Sequence, residues 1–427
     1  MIKKLIHKLI NSEDKKTVVK NFFSLSVLQG LNLLLPLFTY PYLVRVLNEE
    51  EYGLILLAAV VIYYFQIFTE YSFNMTATKE ISLNADNEQK LHEIFNDVFS
   101  TKIFLLVVSF IAFCLMLYLV PFFNENWLVY MLTFGNVVGL ALFPVWFFQG
   151  IQKMKYITYI NFFSKIVFTG AIFLFVKQPE DYWLAPLFTA CGYILAGIIS
   201  LIYVRKLFKI PFKRQPFKKI KKQIILGRYL FLSELKISLF TNTNTLLLGF
   251  ISGKVTVGYF VSAEKLARAI GNICVPLSLA LFPHISKNIL KDKEGTYKDI
   301  VKISKVGTLL FLAILIPTFI FADWIIDIIY GDKMQNSVLI FRILLFIPIS
   351  TFIDNMFGKQ ILLTLGKDNL YFKVISAAVV LNIMLNLFLT FKYDYKGTAV
   401  ALLLTHIFIN IGMYWYARRE INKKITG

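Results

Sequence analysis

Charge is scarce in this 427-residue chain, at 17% Asp, Glu, Lys and Arg against 57% hydrophobic residues, with 42 Phe and 22 Tyr. That balance excludes an ordinary soluble domain, which carries roughly 25% charged residues. Cysteine is nearly absent. Cys114, Cys191 and Cys274 lie inside apolar runs and serve as packing residues, not as a disulfide framework. His7, His92, His284 and His406 are scattered without zinc spacing, so no metal is expected. No G-x-x-x-x-G-K-[ST] occurs, which excludes a P-loop ATPase, and no cofactor is expected. Long loops are missing as well, leaving no room for the catalytic domain of a membrane glycosyltransferase or polymerase. The chain reads as a transporter, not an enzyme.

What is present is a series of apolar runs. A spanning helix needs about 20 mainly apolar residues, and twelve runs qualify: 18–44, 53–73, 98–121, 127–149, 157–176, 183–204, 225–250, 257–283, 305–330, 337–363, 370–391 and 396–416. Barrel strands are about half as long and alternate in character. The expected fold is therefore an all-α integral membrane protein of twelve spans in two six-helix lobes. The expected divisions are an interfacial amphipathic helix at 1–17, an N-lobe at 18–204, a basic linker at 205–224, a C-lobe at 225–416 and a basic tail at 417–427.

The net charge of +19 could suggest nucleic acid, but its distribution excludes that reading. With the N-terminus inside, only Arg45, Lys177, Lys254, Lys333, Lys392 and Lys396 of the 45 Lys and Arg fall in outer loops. Most of the others fall on the inner side, as the positive-inside rule requires, so both termini are expected in the cytoplasm. The stretch RKLFKIPFKRQPFKKIKK, residues 205–222, then lies beside anionic headgroups. In IKKLIHKLI, Ile2, Leu5, Ile6, Leu9 and Ile10 share one helical face, which suits the interface. Six-span halves that both start inside are parallel repeats, with a site expected between them near the midplane.

Charges inside a membrane are costly and mark function by default. In SAEKLARAIGN, Glu264, Arg268 and Asn272 recur at every fourth residue, and Arg268 lies roughly 16 Å along span 8 at 1.5 Å per residue. Arg268 either neutralises Glu264 or faces a watery cavity able to receive phosphate. Lys165 on span 5 and Lys236 on span 7 have no acid at i±4 and either line the cavity or pair across helices. Glu234, Ser238, Thr241, Asn242 and Thr245 form one face of span 7. Arg342, Asp354, Lys373, Asn382, Asn386, His406 and Asn410 extend the polar interior. Lys102 and Arg228 are expected to snorkel to headgroups, and Asp323 and Asp327 to meet water. Pro36, Pro144, Pro186, Pro276, Pro317 and Pro348 interrupt spans and are expected to kink them.

One stretch needs more than position to explain it. FTEYSFNMTATKEIS, residues 68–82, closes the second span with amide and charge. It resembles the signature after the second helix of bacterial Wzx-type O-antigen flippases, the polysaccharide-transporter branch of the multidrug/oligosaccharidyl-lipid/polysaccharide exporter superfamily. LPLFTYPYLVRVLNEEEYG, PVWFFQGIQKMKYIT, VGYFVSAEKLARAI and PLSLALFPHIS are similar to the same family, in order along the chain. The family often has Asp where Glu70 stands and Gly where Ser72 stands.

That resemblance implies an inner-membrane flippase for an undecaprenyl-pyrophosphate-linked oligosaccharide repeat unit, driven by an H+ or Na+ gradient. It implies a V-shaped two-lobed fold with a cationic cavity, and glycan polymerase and glycosyltransferases as partners. Arg268, Lys165 and Lys236, with Arg342 and Lys373, are then candidates for the diphosphate. Glu70, Glu234, Glu264, Asp354 and His406 are candidates for ion coupling or structural pairing. A small-molecule exporter of the same superfamily and a non-transporting scaffold for glycan assembly are the competing readings.

Overall fold

A computed structural model describes residues 30, 35, 36, 38–272, 285, 289 and 292–422. The amphipathic stretch at 1–17, most of the first run, Cys274, Pro276, His284 and the tail beyond 422 lie outside the described residues. Among the described residues every element is helical. In lipid each segment must close its own backbone hydrogen bonds, and a helix does so. Eight helical stretches there are long and apolar enough to cross a membrane: Glu49–Leu83, Glu88–Leu119, Trp127–Gly150, Lys155–Phe175, Pro179–Leu207, Lys293–Ile320, Ser337–Leu363 and Asp368–Asn422. The last breaks at Asp394, whose φ is 57°, between the two runs read from the sequence.

The chain divides into two compact units. One comprises the chain up to Glu51 with Ala58–Ser238, and the other Tyr52–Leu57 with the chain from Leu239. The first unit holds α1 (Glu49–Glu70, its start shared with the second unit), α2 (Phe73–Leu83), α3 (Glu88–Leu119), α4 (Trp127–Leu142), α5 (Val145–Gly150), α6 (Lys155–Phe175), α7 (Leu184–Leu207) and the first part of α8 (Phe217–Ser252). Helix α7 packs on α4 and α6. A β-carbon on Gly139 would strike Tyr193, and one on Gly197 would strike Leu142. Small residues here let backbones approach closely, which supplies the packing that drives association in lipid.

Phe95, Trp146, Phe147 and Phe148 are fully buried at the predicted inner ends of their spans. Phe95 lies 5.4 Å from both Trp146 and Phe147, ring centre to ring centre. This cluster fixes the basic linker. Asn96 accepts from the Lys213 amide at 2.7 Å and donates to the Pro211 carbonyl at 3.0 Å. Phe212 stacks on Phe95 and Phe99. Lys219 bridges Glu93 at 2.9 Å and Asp97 at 3.2 Å. Both Lys90 and Lys219 bond to Glu93, before the apolar run starts.

The second unit holds α9 (Lys254–Gly271), α10 (Lys293–Ile320), α11 (Ala322–Tyr330), α12 (Ser337–Leu344), α13 (Phe346–Asp354), a π-helical turn over Asn355–Leu363, and α14 (Asp368–Asn422). Helix α9 packs on α12 and α13, and α14 packs on α13 and the π-turn. Asn244, Asn382, Asn386, Thr390, Thr398 and Thr405 are all 1% exposed or less and bond to one another, Asn382 to Thr405 at 3.0 Å and Thr390 to Asn386 at 2.7 Å. A polar core in lipid stands only when its members satisfy each other.

The prolines divide into two groups. Pro144 separates α4 from α5, and Pro348 follows the join of α12 and α13. Pro317 lies inside α10. Pro186, however, sits in the first turn of α7 and interrupts nothing, because the first amides of a helix have no internal partner to lose.

Candidate functional site

Within the second unit a cavity of about 330 Å³ is lined by Thr241, Glu264, Arg268, Asn272, Asn355 and His406, with Ala267, Leu344, Ile347 and Pro348 as apolar wall. Helix α9 brings Glu264, Arg268 and Asn272 to it on one stripe, as fourfold spacing demands. Arg268 donates from Nε (3.0 Å) and Nη2 (2.7 Å) to the same Glu264 oxygen. Its side chain stays half exposed while that of Glu264 is 11% exposed. Arg268 is paired, and its guanidinium, which has five donors, shares the cavity wall with its partner Glu264. His406 joins the same wall.

The other candidates lie elsewhere. Lys165, in the first unit, is half-buried with its ammonium 5.6 Å from the centre of the Tyr193 ring. Lys236 and Glu234 are exposed, and Glu234 accepts a hydrogen bond from Ser72. Glu70 accepts from Lys102 at 2.7 Å and from Asn74 at 3.1 Å. Arg342 pairs with Asp323 and donates to the Phe319 carbonyl at 3.3 Å, away from the cavity wall. Lys373 is exposed near the start of α14. Asp354 is not among the residues that line the cavity although its neighbours Thr351 and Asn355 are, and its buried Oδ1 has no hydrogen-bond partner among the described residues.

One expectation is overturned. Lys102 does not reach a headgroup: its side chain is 0% exposed, held by Glu70 and by the Leu140 carbonyl at 3.0 Å. Sequence reasoning treated a lysine near a helix end as free to extend, and no local signal identifies a partner 32 residues away. Asn355 was missed for a different reason. The π-turn that begins there shifts side-chain directions from the α-helical period used to assign faces.

Comparison with known proteins bears on this arrangement. The model of the polysaccharide biosynthesis protein family matches residues 18–289. The chain belongs to that family. A protein named "Putative O-antigen transporter" from Escherichia coli (strain K12) is 31% identical over 95% of this chain and 98% of its own length. One of the same name from Shigella dysenteriae is 26% identical over 92% and 98%. The resemblance to Wzx-type flippases read from residues 68–82 is therefore a family relationship spanning nearly the whole chain. The fold is similar to that of the lipid II flippase MurJ in an inward closed conformation, with a TM-score of 0.66 at 14% identity over 94% of this chain and 87% of that one. It is also similar to an inward-facing multidrug resistance MATE family transporter, with a TM-score of 0.64 at 13% identity over 92% and 96%.

Proposed function

We propose that this protein moves an undecaprenyl-pyrophosphate-linked oligosaccharide repeat unit from the cytoplasmic to the outer leaflet of the bacterial inner membrane. It does so by alternating access driven by an H+ or Na+ gradient, through twelve spans with both termini in the cytoplasm. The observation that carries this reading is the half-exposed Arg268 guanidinium in the wall of a polar cavity, on a helix that the sequence places at membrane depth. A diphosphate cannot enter hydrocarbon with its charge uncompensated. Arg268 offers bidentate donors to phosphate oxygens, and Lys165 and Lys236 supply further positive charge in the other unit. Asn272, Asn355 and Thr241 offer neutral partners suited to sugar hydroxyls. The names of the O-antigen relatives point the same way. Glycan polymerase and glycosyltransferases are the proposed partners.

The test is glycan display. Arg268→Ala should lower surface glycan in a flippase-deficient host by about tenfold or more at unchanged membrane abundance, the loss expected when a charged hydrogen-bonding partner is removed from a phosphate. Arg268→Lys should fall between Ala and the native residue, because an ammonium cannot form the two-pronged contact. Full activity of Arg268→Ala would remove the residue from the scheme. A drug exporter of this superfamily should rely on buried acids at its site; in this cavity Glu264 is already paired with Arg268, and Asp354 lies off the cavity wall. Drug accumulation unchanged by expression of the protein is therefore the expected companion result.

A further inference from the structure

The apolar stretch Glu49–Leu83 is cut in two by Tyr71 (φ 47°) and Ser72 (φ 57°), consecutive left-handed residues. Neither is glycine. The surrounding FTEYSFNMTAT holds no Gly or Pro, so nothing local forbids right-handed helix straight through. A left-handed pair of ordinary residues persists only where surrounding contacts over-determine it.

Those contacts come from α3 and α8 within the first unit. Glu70, the last residue of α1, is bonded to the fully buried Lys102 of α3 at 2.7 Å. Tyr71 stacks on Phe231 of α8, ring centres 4.5 Å apart and planes within 14°, over Gly227, where a β-carbon would press on the Tyr71 ring. The hydroxyl of Ser72 donates to Glu234, one turn beyond Phe231.

Lys102 has a second partner with its own meaning. The Leu140 carbonyl near the end of α4 would, in a continuing helix, accept from residue 144, which is proline and has no N–H. Lys102 donates to that carbonyl at 3.0 Å, alongside the Phe143 amide at 3.2 Å. A single buried ammonium thus joins the break in one span to the break in another.

We propose that Lys102 is the positioning residue of a latch that keeps the Glu49–Leu83 span broken, and that release of the latch lets α1 and α2 merge into one helix. This rests on the transport reading for its purpose but not for its structure. The broken and continuous forms are the two discrete states that a moving element requires.

The experiment uses the full-length protein with its three cysteines changed to serine and spin labels at the exposed positions Tyr63 and Leu83. A continuous helix puts those two backbones about 30 Å apart, at 1.5 Å per residue, and a broken one must be shorter. Lys102→Met is expected to move the distance distribution toward about 30 Å, and Lys102→Arg, which keeps charge and donors, to leave it in place. Where Lys102→Met does not accumulate, Glu70→Gln removes the same pairing with less change of shape, and the same shift is expected. An unchanged distance in both variants overturns the latch whatever the cargo is. Surface glycan lowered by about tenfold or more in Lys102→Met, and kept in Lys102→Arg, supports the latch as part of transport. A shifted distance with glycan display at the native level leaves the latch standing and removes it from transport, whereas failure of the unaltered protein to restore glycan display overturns the flippase reading and leaves the latch to be judged on the distances alone.

Discussion

At the scale of single residues, the pairing of a charge decides what it can do. Arg268, with Glu264 four residues before it, and Arg342, with Val338 and Phe346 at i±4, are both arginines inside apolar runs. In the structure Arg268 lines a polar cavity, while Arg342 meets Asp323, whose side chain is 61% exposed. An ion pair open to water contributes about 0–1 kcal/mol. Arg342→Ala should therefore change thermal stability by less than about 1 kcal/mol and leave surface glycan near the native level, in contrast to Arg268→Ala. Complementation with both variants side by side checks this; equal losses would return Arg342 to the binding set. The same contrast separates Lys102 from Arg228. Arg228 is exposed and donates to the neighbouring Tyr229 hydroxyl at 3.0 Å, and Lys102 is sealed inside.

Among the elements, the break at Tyr71–Ser72 explains why the second span ends in amide and charge. Its polar residues are partners for α3, α5 and α8 and do not simply form a solvated exit. The glycine that family members often carry at position 72 also has a reason, since Ser72 needs a positive φ. Ser72→Gly relieves left-handed strain of roughly 1 kcal/mol and gives up one hydrogen bond of about 1 kcal/mol, so its melting temperature should stay near native. Ser72→Val, β-branched at a positive φ, should melt clearly lower, and a calorimetric or fluorescence melt in detergent distinguishes them. The linker is a second case. Residues 211–219 are pinned to α3 through Asn96, Ser100, Glu93 and Asp97. Asn96→Ala should speed tryptic cleavage after Arg214 several-fold with little change in melting temperature, because two of the bonds it removes hold the linker and the third is a local one to the His92 carbonyl of its own helix.

For the whole molecule, charge asymmetry and apolar length together propose a topology that can be measured. Gly253, with φ 87°, lies between α8 and α9 at a predicted outer turn, and Arg214 lies in a predicted inner segment. Reporter fusions should give high alkaline phosphatase activity after Gly253 and low activity after Arg214, with green fluorescent protein giving the reverse. The opposite pattern would invert the proposed direction of transport.

The sequence alone established that the chain is a polytopic helical membrane protein and, through residues 68–82, which family it joins. Apolar length and the bias of Lys and Arg act residue by residue along the chain, and the bilayer reads them the same way in any context. The helical character of the apolar runs was legible for that reason, as was the shared face of Glu264, Arg268 and Asn272, since four-residue spacing is local geometry; the helix starts were not, because Glu88–Leu119, Phe217–Ser252 and Lys293–Ile320 each begin in polar sequence ahead of the run. Tertiary structure alone decided that Lys102 is buried, that Arg342 leaves the cavity wall, that Asn355 enters it, and that one span is broken without Gly or Pro. Those outcomes depend on which side chains from distant segments meet. In a medium with no water to solvate a stranded charge or amide, it is the partner reached across helices that fixes where each polar group comes to rest.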